Sequence, residues 1–488
     1  MSWPGRFVPR ARERRYFSTT ERGVFVSQVS PGENGLALAG SSSAAMRAVY
    51  ADSALIEAML RFEGALALAE AEHGIVPLAL AKIINDVAGS MTIDREALAA
   101  QAPAAGNLAI PLVKQLTAAV TVKDSAAAGF VHWGATSQDV IDSGAMLQAR
   151  SALQILLGDL AKINAALARL ASEHAATVMA GRTWLQHATP VSLGLKAAGW
   201  LHAVRGATGK LEALEKSLPL QLGGASGTLA ALGEDGDVVT DSLSRLLSLS
   251  RPLLPWHAAR QPITDLGSAL ALTTGVLGKI ARDVSLMMQN EIAEVSEPRA
   301  AGKGGSSTMA HKRNPVGCAT TLAAAQRAPQ LLATLYAALV GEHERGLGGW
   351  QSEWSVLPEL FLVTSGAAEA MGTVLGGLEV DRERIAANLL ADKGLSMAEA
   401  ATFALARRLD RGTAQRIVER AIKATRGSDK TFLEALTELS EVAAVIEPDV
   451  LATILAPNAY LGRNSQMIER VLKDYRDSVK GKGVHADD

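Results

Sequence analysis

Hydrophobic residues recur along most of the chain at the spacing of an α-helix. No proline interrupts residues 141–175, and two apolar series with a seven-residue spacing run along this segment. The first series is Leu153, Leu160 and Leu167, and the second is Leu156, Ile163 and Leu170. Residues at these spacings share one face of a helix. The pattern therefore predicts a helix of roughly 50 Å, at about 1.5 Å per residue, packed at a shallow angle against its neighbours.

The same periodicity predicts further long helices downstream. A second apolar stripe consists of Leu266, Leu270, Leu277, Ile280, Val284 and Met287. Other helical stretches cover residues 191–218, 315–340 and 354–375. The strict alternation of polar and apolar residues that is typical of β-strands is almost absent. The sequence thus predicts an all-α fold built around a bundle of unusually long helices.

Breaks in the helical pattern divide the chain into four predicted parts. Residues 1–40 contain many arginines but no apolar run of the kind a secretory signal needs, and we expect a disordered extension there, with a transit peptide as the alternative. Residues 41–137 are predicted to form an N-terminal helical domain, 138–377 the central bundle and 378–488 a small C-terminal helical domain. In the last part, Ser396 and Glu399 have the spacing of a capping box that starts a helix.

Composition and charge exclude several classes of function. The chain has 48 Lys and Arg against 50 Asp and Glu, a formal net charge of -2, so it exerts no long-range attraction on nucleic acid or an anionic membrane. No apolar run reaches the length of a membrane span. The single cysteine, Cys318, excludes an internal disulfide framework, and we expect a buried, inert thiol in a cytoplasmic protein.

A first polar cluster, residues 132–139 (HWGATSQD), stands at the start of the first long helix. Thr136, Ser137 and Asp139 can cap that helix, because their side-chain oxygens match its unpaired N–H groups. The same helix start, with these hydroxyls, can also bind a carboxylate. The two interpretations are compatible.

A second polar cluster, residues 181–190 (GRTWLQHATP), precedes the next long helix. A plain loop leading into a helix explains it, and a lone histidine such as His187 is more often structural than catalytic. Histidine is nevertheless the side chain best matched to proton transfer near neutral pH.

A third cluster, residues 302–315, combines glycines with hydroxyl, amide and cationic side chains. The glycines permit close approach to a ligand, and Pro315 suits the first turn of the following helix. A phosphate-binding loop is excluded, because the G-x-x-x-x-G-K-[ST] spacing is absent. A solvated linker is the alternative, but it explains poorly why so many donors converge between two apolar helices.

Together the three clusters resemble the conserved blocks of the fumarase/aspartase superfamily, and the likeness covers roughly residues 45–472. The third cluster (GSSTMAHKRNP) resembles its signature loop. Within the superfamily, the segments HWGATSQDVID, GRTWLQHATP and LQLGGASGTLAAL are most similar to bacterial 3-carboxy-cis,cis-muconate cycloisomerases. The resemblance implies a three-domain all-α fold, with a central long-helix bundle, that assembles into a homotetramer with active sites shared between subunits.

Three departures from the wider superfamily separate this sequence from many of its relatives. Trp184 stands where fumarase-like and adenylosuccinate-cleaving members carry a histidine, and an indole exchanges no proton near neutral pH. The glutamate that many relatives have shortly after Asn-Pro is missing, since the chain reads Val316-Gly317-Cys318-Ala319. Both absences favour the cycloisomerase. Ala310 replaces the usual proline, which loosens the loop.

The reaction that the resemblance implies is a reversible lactonisation by acid/base addition and elimination, in protocatechuate catabolism. The implied catalytic residues are Ser306, Lys312 and His187. The implied substrate-binding residues are His132, Thr136, Ser137, Arg182, Thr183, Gln186, Ser307, Arg313 and Asn314. The expected substrate is a small polycarboxylate, with no cofactor and no metal, because no His, Asp and Glu set has ligand spacing. The alternatives are an adenylosuccinate or argininosuccinate lyase activity and a non-catalytic scaffold.

Overall fold

The structure is a computed structural model that describes residues 40–299, 309 and 312–483. The predicted N-terminal extension lies outside this range, as do Ser306, Ser307 and Ala310. The described chain is mostly helical, as the periodicity predicts. Among the described residues, no helix is both long enough and apolar enough to cross a membrane.

Within the part of the chain that the structure describes, six helices precede the first long helix and pack against one another through apolar faces. They are α1 (Ala44–Val49), α2 (Asp52–Glu72), α3 (Leu78–Ser90), α4 (Arg95–Ala105), α5 (Ala109–Lys123) and α6 (Ser125–Ala128). Helix α2 is the most deeply buried of these, with Met59 and Phe62 fully inaccessible to solvent. It contacts the first long helix and therefore joins this region to the bundle.

In the described chain, five long helices form the centre of the structure. They are α7 (Ser137–Glu173), α8 (Leu193–Ser217), α10 (Gln261–Met287), α11 (Val316–Ala338) and α12 (Gly349–Gly376), with α9 (Gly236–Leu247) beside them. The members of both predicted apolar stripes are at most 4% exposed. The predicted long helices are thus confirmed, and α12 begins a little more than one turn earlier than expected.

Two strands interrupt the helices where the sequence suggests a plain loop. Strands β1 (Val178–Thr183) and β2 (Gln186–Ser192) form an antiparallel hairpin in which Thr183 lies opposite Gln186. The plain-loop interpretation of the second cluster is therefore wrong. Trp184 and Leu185 form the two-residue turn with φ of 51° and 62°, the left-handed conformation of a hairpin turn. Neither is a glycine or an asparagine, so the turn rule gave no signal.

The remaining elements close the end of the bundle and build a second apolar core. Strands β3 (Val295–Ser296) and β4 (Glu379–Val380) pair antiparallel. The helices that follow are α13 (Arg382–Leu390), α14 (Ala398–Ala406), α15 (Arg411–Arg426), α16 (Phe432–Thr437), α17 (Ser440–Ala443), α18 (Pro448–Ile454) and α19 (Asn464–Gly483). Residues 397–455 share a separate apolar cluster, whereas α19 packs back onto α8. The predicted domain boundaries themselves stay predictions.

The start of α14 differs in detail from the sequence-based expectation. A helix is present, but no side chain caps its first residue, and a 3-10 turn, Leu395–Met397, precedes it. Asp392 accepts hydrogen bonds from the backbone N–H groups of Gly394 and Ser396, at 2.9 and 2.8 Å. The predicted Ser396–Glu399 capping box is therefore wrong, because the Ser396 backbone N–H, which Glu399 would have to bind, donates to Asp392 instead.

Candidate active site

The first polar cluster caps the longest helix, as the sequence predicts. Thr136 is the N-cap residue of α7, and Ser137 is its first helical residue. The Asp139 carboxylate accepts a hydrogen bond from the Thr136 backbone N–H at 2.9 Å. The hydroxyl groups of Thr136 and Ser137, both half-buried, remain close to the positive end of the helix, where a carboxylate is stabilised.

Asp139 also holds this cluster against the segment between α8 and α9. It accepts hydrogen bonds from the backbone N–H groups of Gly223 and Gly224, both at 3.0 Å. His257 Nε2 lies 2.6 Å from the same carboxylate, and both side chains are buried. Glycine is required at position 134, which has φ of 69°, because an added Cβ would lie 2.8 Å from Leu232. The motifs that are far apart in sequence are thus brought together by one buried carboxylate.

His132 is paired with a carboxylate that the sequence analysis did not single out. Its Nδ1 lies 2.7 Å from Oε1 of Glu63, whose side chain is completely buried in α2. Burial alone would lower the pKa of His132, but the charge and hydrogen bond of Glu63, with the charge of Asp139, outweigh it and raise that pKa. His132 also has φ of 61°, a left-handed conformation that costs roughly 1–2 kcal/mol for a side chain of this kind. The only sequence signal for Glu63 is a carboxylate within an apolar helical run.

A second residue missed in the sequence is Arg345, in the loop between α11 and α12. Its guanidinium donates to Oγ1 of Thr136 at 3.3 Å and to the Ala225 carbonyl at 3.2 Å. Its Nε is buried and has no hydrogen-bond partner among the described residues. This arginine adds a positive charge to the first cluster. The polar run Glu-His-Glu-Arg between two apolar helices is the signal that could have identified it.

The second polar cluster lies at the tip and the inner end of the β1–β2 hairpin. Thr183, Trp184, Leu185 and Gln186 are exposed at the tip, with Trp184 97% accessible. His187 is half-buried one position further along, opposite Arg182. Its Nδ1 lies 3.8 Å from Asp392 Oδ2, which is a charge contact rather than a hydrogen bond.

Arg182 is held by a buried carboxylate next to the hairpin. Its two terminal nitrogens donate to Glu294 at 2.9 and 2.5 Å. Asn388 donates to the same carboxylate at 3.0 Å. This bidentate pair fixes the base of the hairpin to the segment that follows α10. The substrate-binding role predicted for Arg182 stays a prediction, and the structure adds a structural role.

The described part of the third cluster lies at the start of α11. Lys312 is exposed, and Asn314 is half-buried. Arg313 donates to both carboxylate oxygens of Glu379 and to the Glu297 carbonyl. Ser306 and Ser307 lie outside the described residues.

A carboxylate already occupies the positive end of α11. Glu297 accepts hydrogen bonds from the backbone N–H groups of Gly317 and Cys318, at 3.0 and 2.9 Å. Cys318 is fully buried, and burial, followed by its contact with Glu297, raises the pKa of its thiol. The predicted burial of this thiol is therefore confirmed, and its inertness stays a prediction. Substrate donors in this cluster must come from side chains and from the loop itself.

The lengths of helices α7 and α10 give the distance between the first cluster and the other two clusters within one chain. The first cluster begins α7, and the second follows its other end, after 37 helical residues or about 55 Å. Helix α10 runs from the neighbourhood of His257 to that of Glu294 over 27 residues, or about 40 Å. The third cluster is on the same end as the second, because Glu294 binds Arg182 and Glu297 caps α11. One chain therefore keeps the first cluster far from the other two.

Among the described residues, no group of three or more His, Cys, Asp or Glu side chains is arranged to hold a metal ion. The described clusters and the loop before α12 instead carry several basic side chains, namely His132, Arg345, Arg182, Lys312 and Arg313. These cations suit an anionic ligand with several carboxylates.

The sequence is similar to that of known lyase-family proteins. The lyase family model matches residues 40–329, and the model for the adenylosuccinate lyase C-terminus matches residues 394–471. The chain is 49% identical to the 3-carboxy-cis,cis-muconate cycloisomerase of Bradyrhizobium diazoefficiens over 432 residues, which covers 88% of this chain and 96% of the relative. It is 47% identical to the enzyme of the same name from Pseudomonas aeruginosa over 434 residues, 89% of this chain and 95% of the relative.

A solved structure has the same fold. The crystal structure of 3-carboxy-cis,cis-muconate lactonizing enzyme from Pseudomonas putida is 41% identical, with a TM-score of 0.85 over 91% of this chain and 99% of that one. Both the fold and nearly the whole length of the relatives are therefore represented in this chain. The chain belongs to the lyase family, within the fumarase/aspartase superfamily.

Proposed function

We propose that this protein is a cycloisomerase that converts 3-carboxy-cis,cis-muconate reversibly to carboxymuconolactone, in the protocatechuate branch of aromatic catabolism. The observation that carries the proposal is Trp184 at the tip of the hairpin, where other superfamily members have a histidine that transfers protons. The names of the relatives at 49% and 47% identity support the same activity.

The chemistry of the leaving group explains why a tryptophan is acceptable there. In the lactonisation, a substrate carboxylate attacks the carbon–carbon double bond, and the displaced electron pair moves onto a second carboxylate to give an enediolate. A proton then adds to the α-carbon. In the reverse direction the group that leaves is a carboxylate, which is stable as its anion and needs no proton donor. Elimination of an amine requires a proton donor for the leaving nitrogen, and the indole of Trp184 cannot supply that proton near neutral pH.

Proton transfer at carbon is assigned to Ser306 in the signature loop. A serine hydroxyl is a poor base in water, so Lys312 and nearby N–H groups must stabilise its alkoxide once solvent is excluded. The same donors, with Asn314, stabilise the enediolate. His187 is assigned as a further acid/base group or carboxylate ligand.

The remaining predicted residues are assigned to holding the carboxylates of the substrate. They are His132, Thr136, Ser137, Arg182, Thr183, Gln186, Ser307 and Arg313. Arg345 joins them, because its guanidinium contacts Thr136 and carries a buried, unpaired Nε.

We propose that the active protein is a homotetramer whose sites combine clusters from different subunits. The lengths of α7 and α10 support this, since the first cluster is about 40 to 55 Å from the others along one chain. The hairpin tip supports it as well. Its exposed Trp184 and Leu185 are apolar, and burial against a second subunit would remove them from water. A cytoplasmic location is proposed from the single, buried cysteine.

The test is incubation of the purified protein with 3-carboxy-cis,cis-muconate while the ultraviolet absorbance of the conjugated substrate is followed. We expect rapid loss of that absorbance and formation of the lactone. Parallel incubations with adenylosuccinate and argininosuccinate provide the controls. Turnover of either control substrate without turnover of the muconate would reject the proposal, and turnover of none would favour the scaffold alternative.

A further inference from the structure

Helix α2 carries two carboxyl groups into the apolar interior on one face. Glu63 and Glu70 are separated by two helical turns, and neither is more than 1% exposed. Carboxylates are almost never fully buried unless a partner compensates them. Glu70 has no hydrogen-bond partner among the described residues, whereas Glu63 has one, His132. The two side chains can therefore be compared, because they lie on the same helix and are equally buried, but only Glu63 has a histidine partner.

The ring of His132 has two chemically different edges. Nδ1 faces Glu63 at 2.7 Å, and no described residue forms a hydrogen bond with Nε2. The side chain is 20% exposed. A carboxylate that accepts the Nδ1 proton of an imidazole fixes the orientation and the tautomer of the ring, and the protonated ring then has an Nε2–H group that can donate. The accessible edge of the ring is therefore the one that Glu63 leaves unused.

The surroundings of His132 favour its charged form. Glu63 faces it from α2 and Asp139 from the start of α7, and Asp139 is itself bound to His257. Arg345 approaches through Thr136 from the loop before α12. The Glu63 contact outweighs burial, so the pKa of His132 is raised. The charged form of His132 is thus favoured beside the positive end of α7, where an anion would bind.

We infer that Glu63 is a positioning residue for the proposed reaction: its carboxylate holds His132 as an imidazolium whose Nε2–H donates to a carboxylate of the substrate. No covalent step passes through this pair. Glu63 acts only through His132, and Glu70, which forms no hydrogen bond with His132, has no part in it. The inference rests on the proposed function for the identity of the substrate, but not for the charge state of His132.

The kinetic test compares Glu63→Gln with the matched control Glu70→Gln. Glutamine keeps the size of the side chain. At position 63 it removes the charge that faces His132, and at position 70 it replaces a buried carboxyl group whose pKa is raised to about 9. We expect E63Q to raise KM for 3-carboxy-cis,cis-muconate about 10- to 100-fold, the loss typical of a charge-assisted hydrogen bond, with a smaller change in kcat. E70Q should leave both constants unchanged. Equal effects of the two variants would reject the inference, because any buried carboxyl would then serve.

A pH profile separates positioning from a merely structural effect. Since binding needs the imidazolium, affinity falls as pH rises through the pKa of His132. Glu63 raises that pKa, so in E63Q the fall should move to lower pH, and in E70Q it should not. In a His132→Asn background, E63Q should add no further loss. An additional loss there would show that Glu63 does not act through His132.

A chemical titration tests the pair without any substrate. Diethyl pyrocarbonate reacts with the neutral form of a histidine side chain and not with its imidazolium form, and mass spectrometry of the digested protein reports each histidine separately. In the wild-type protein His132 should become reactive at higher pH than a free histidine-containing peptide added to the same solution, and in E63Q at lower pH than in the wild type. Reaction of wild-type His132 at lower pH than the free peptide would overturn the inference, even if E63Q failed to fold. If the protein turned over no muconate but this shift were found, the proposed function would fail and the pairing would stand.

Discussion

Arg182 and Glu294 form a bidentate ion pair across the base of the β1–β2 hairpin, with the carboxylate fully buried and the guanidinium largely so. The two residues are 112 positions apart in the sequence. Their contact joins the second polar cluster to the segment between α10 and the signature loop. The ion pair therefore fixes the position of the exposed hairpin tip relative to the helix bundle.

Replacement of Arg182 by lysine should weaken the attachment of the hairpin to Glu294. Lysine keeps the charge but loses the planar fork, so one of two hydrogen bonds to a buried carboxylate is lost. We expect a loss of about 1–3 kcal/mol in the free energy of unfolding, measured by denaturant titration, and reduced turnover. The control is Arg420→Lys, whose pair with Glu441 is about half exposed on both sides and should change stability by less than about 1 kcal/mol. Equal losses in the two variants would contradict the structural role of Arg182.

Replacement of Ser306 by alanine tests the proposed proton transfer. The variant lacks the hydroxyl that exchanges the proton at carbon, so kcat should fall at least ~100-fold. The melting temperature should be unchanged, since the substitution removes a single hydroxyl group and keeps the rest of the side chain. Near-normal turnover would remove Ser306 from the mechanism.

Mixed assemblies should reveal whether sites are shared between subunits. His132→Ala damages the first cluster and Ser306→Ala the third, and each variant alone should be nearly inactive. If a site takes these clusters from different subunits, random mixing in a tetramer should restore about a quarter of the wild-type activity. Co-expression of the two variants with different affinity tags, followed by tandem purification, supplies the mixed protein. No recovery of activity would indicate that each site is built from one chain.

Glu70 should make the protein less stable as pH rises. Burial, with a further contribution from Glu63, raises its pKa from 4.5 to about 9. The unfolded chain ionises above about pH 4.5 while the folded chain stays protonated, so stability falls between pH 4.5 and about 9. Glu70→Gln removes this dependence, and at pH 8 it should be more stable than the wild type by at least about 1 kcal/mol. Calorimetric melting at pH 6 and pH 8, at one scan rate, measures the difference, and a variant that gained nothing at pH 8 would contradict the raised pKa.

Arg260 neutralises two buried carboxylates near the start of α7. It donates to Asp142 at 2.7 Å and to Glu353 at 2.5 Å, and all three side chains are at most 5% exposed. Arg260→Met would leave two buried carboxyl groups without their cation, and we expect a loss of about 3–5 kcal/mol in unfolding free energy. The control is Arg251→Met, because Arg251 binds two exposed aspartates and should cost less than about 1 kcal/mol. A similar loss of unfolding free energy in both variants would show that burial of the Arg260 network does not increase its contribution to stability.

The sequence by itself determined the long helices, the capping of α7 and the family. Helical periodicity is a local property, and burial of Leu153 and Leu266 follows from it directly. Thr136 and Asp139 are three residues apart, so their capping interaction is also local. The signature loop identifies the superfamily by its residues alone.

Only the tertiary structure decided which residues pair across the molecule. Glu63 with His132, Arg182 with Glu294 and Arg345 with Thr136 are contacts between residues 69 to 209 positions apart, and no periodicity encodes such contacts. The hairpin was missed because Trp184 and Leu185 adopt left-handed backbone conformations that their types rarely take. Only the tertiary structure also showed that the first cluster lies at the opposite end of the bundle from the other two. The reason is that a helix of fixed rise per residue keeps its two ends apart.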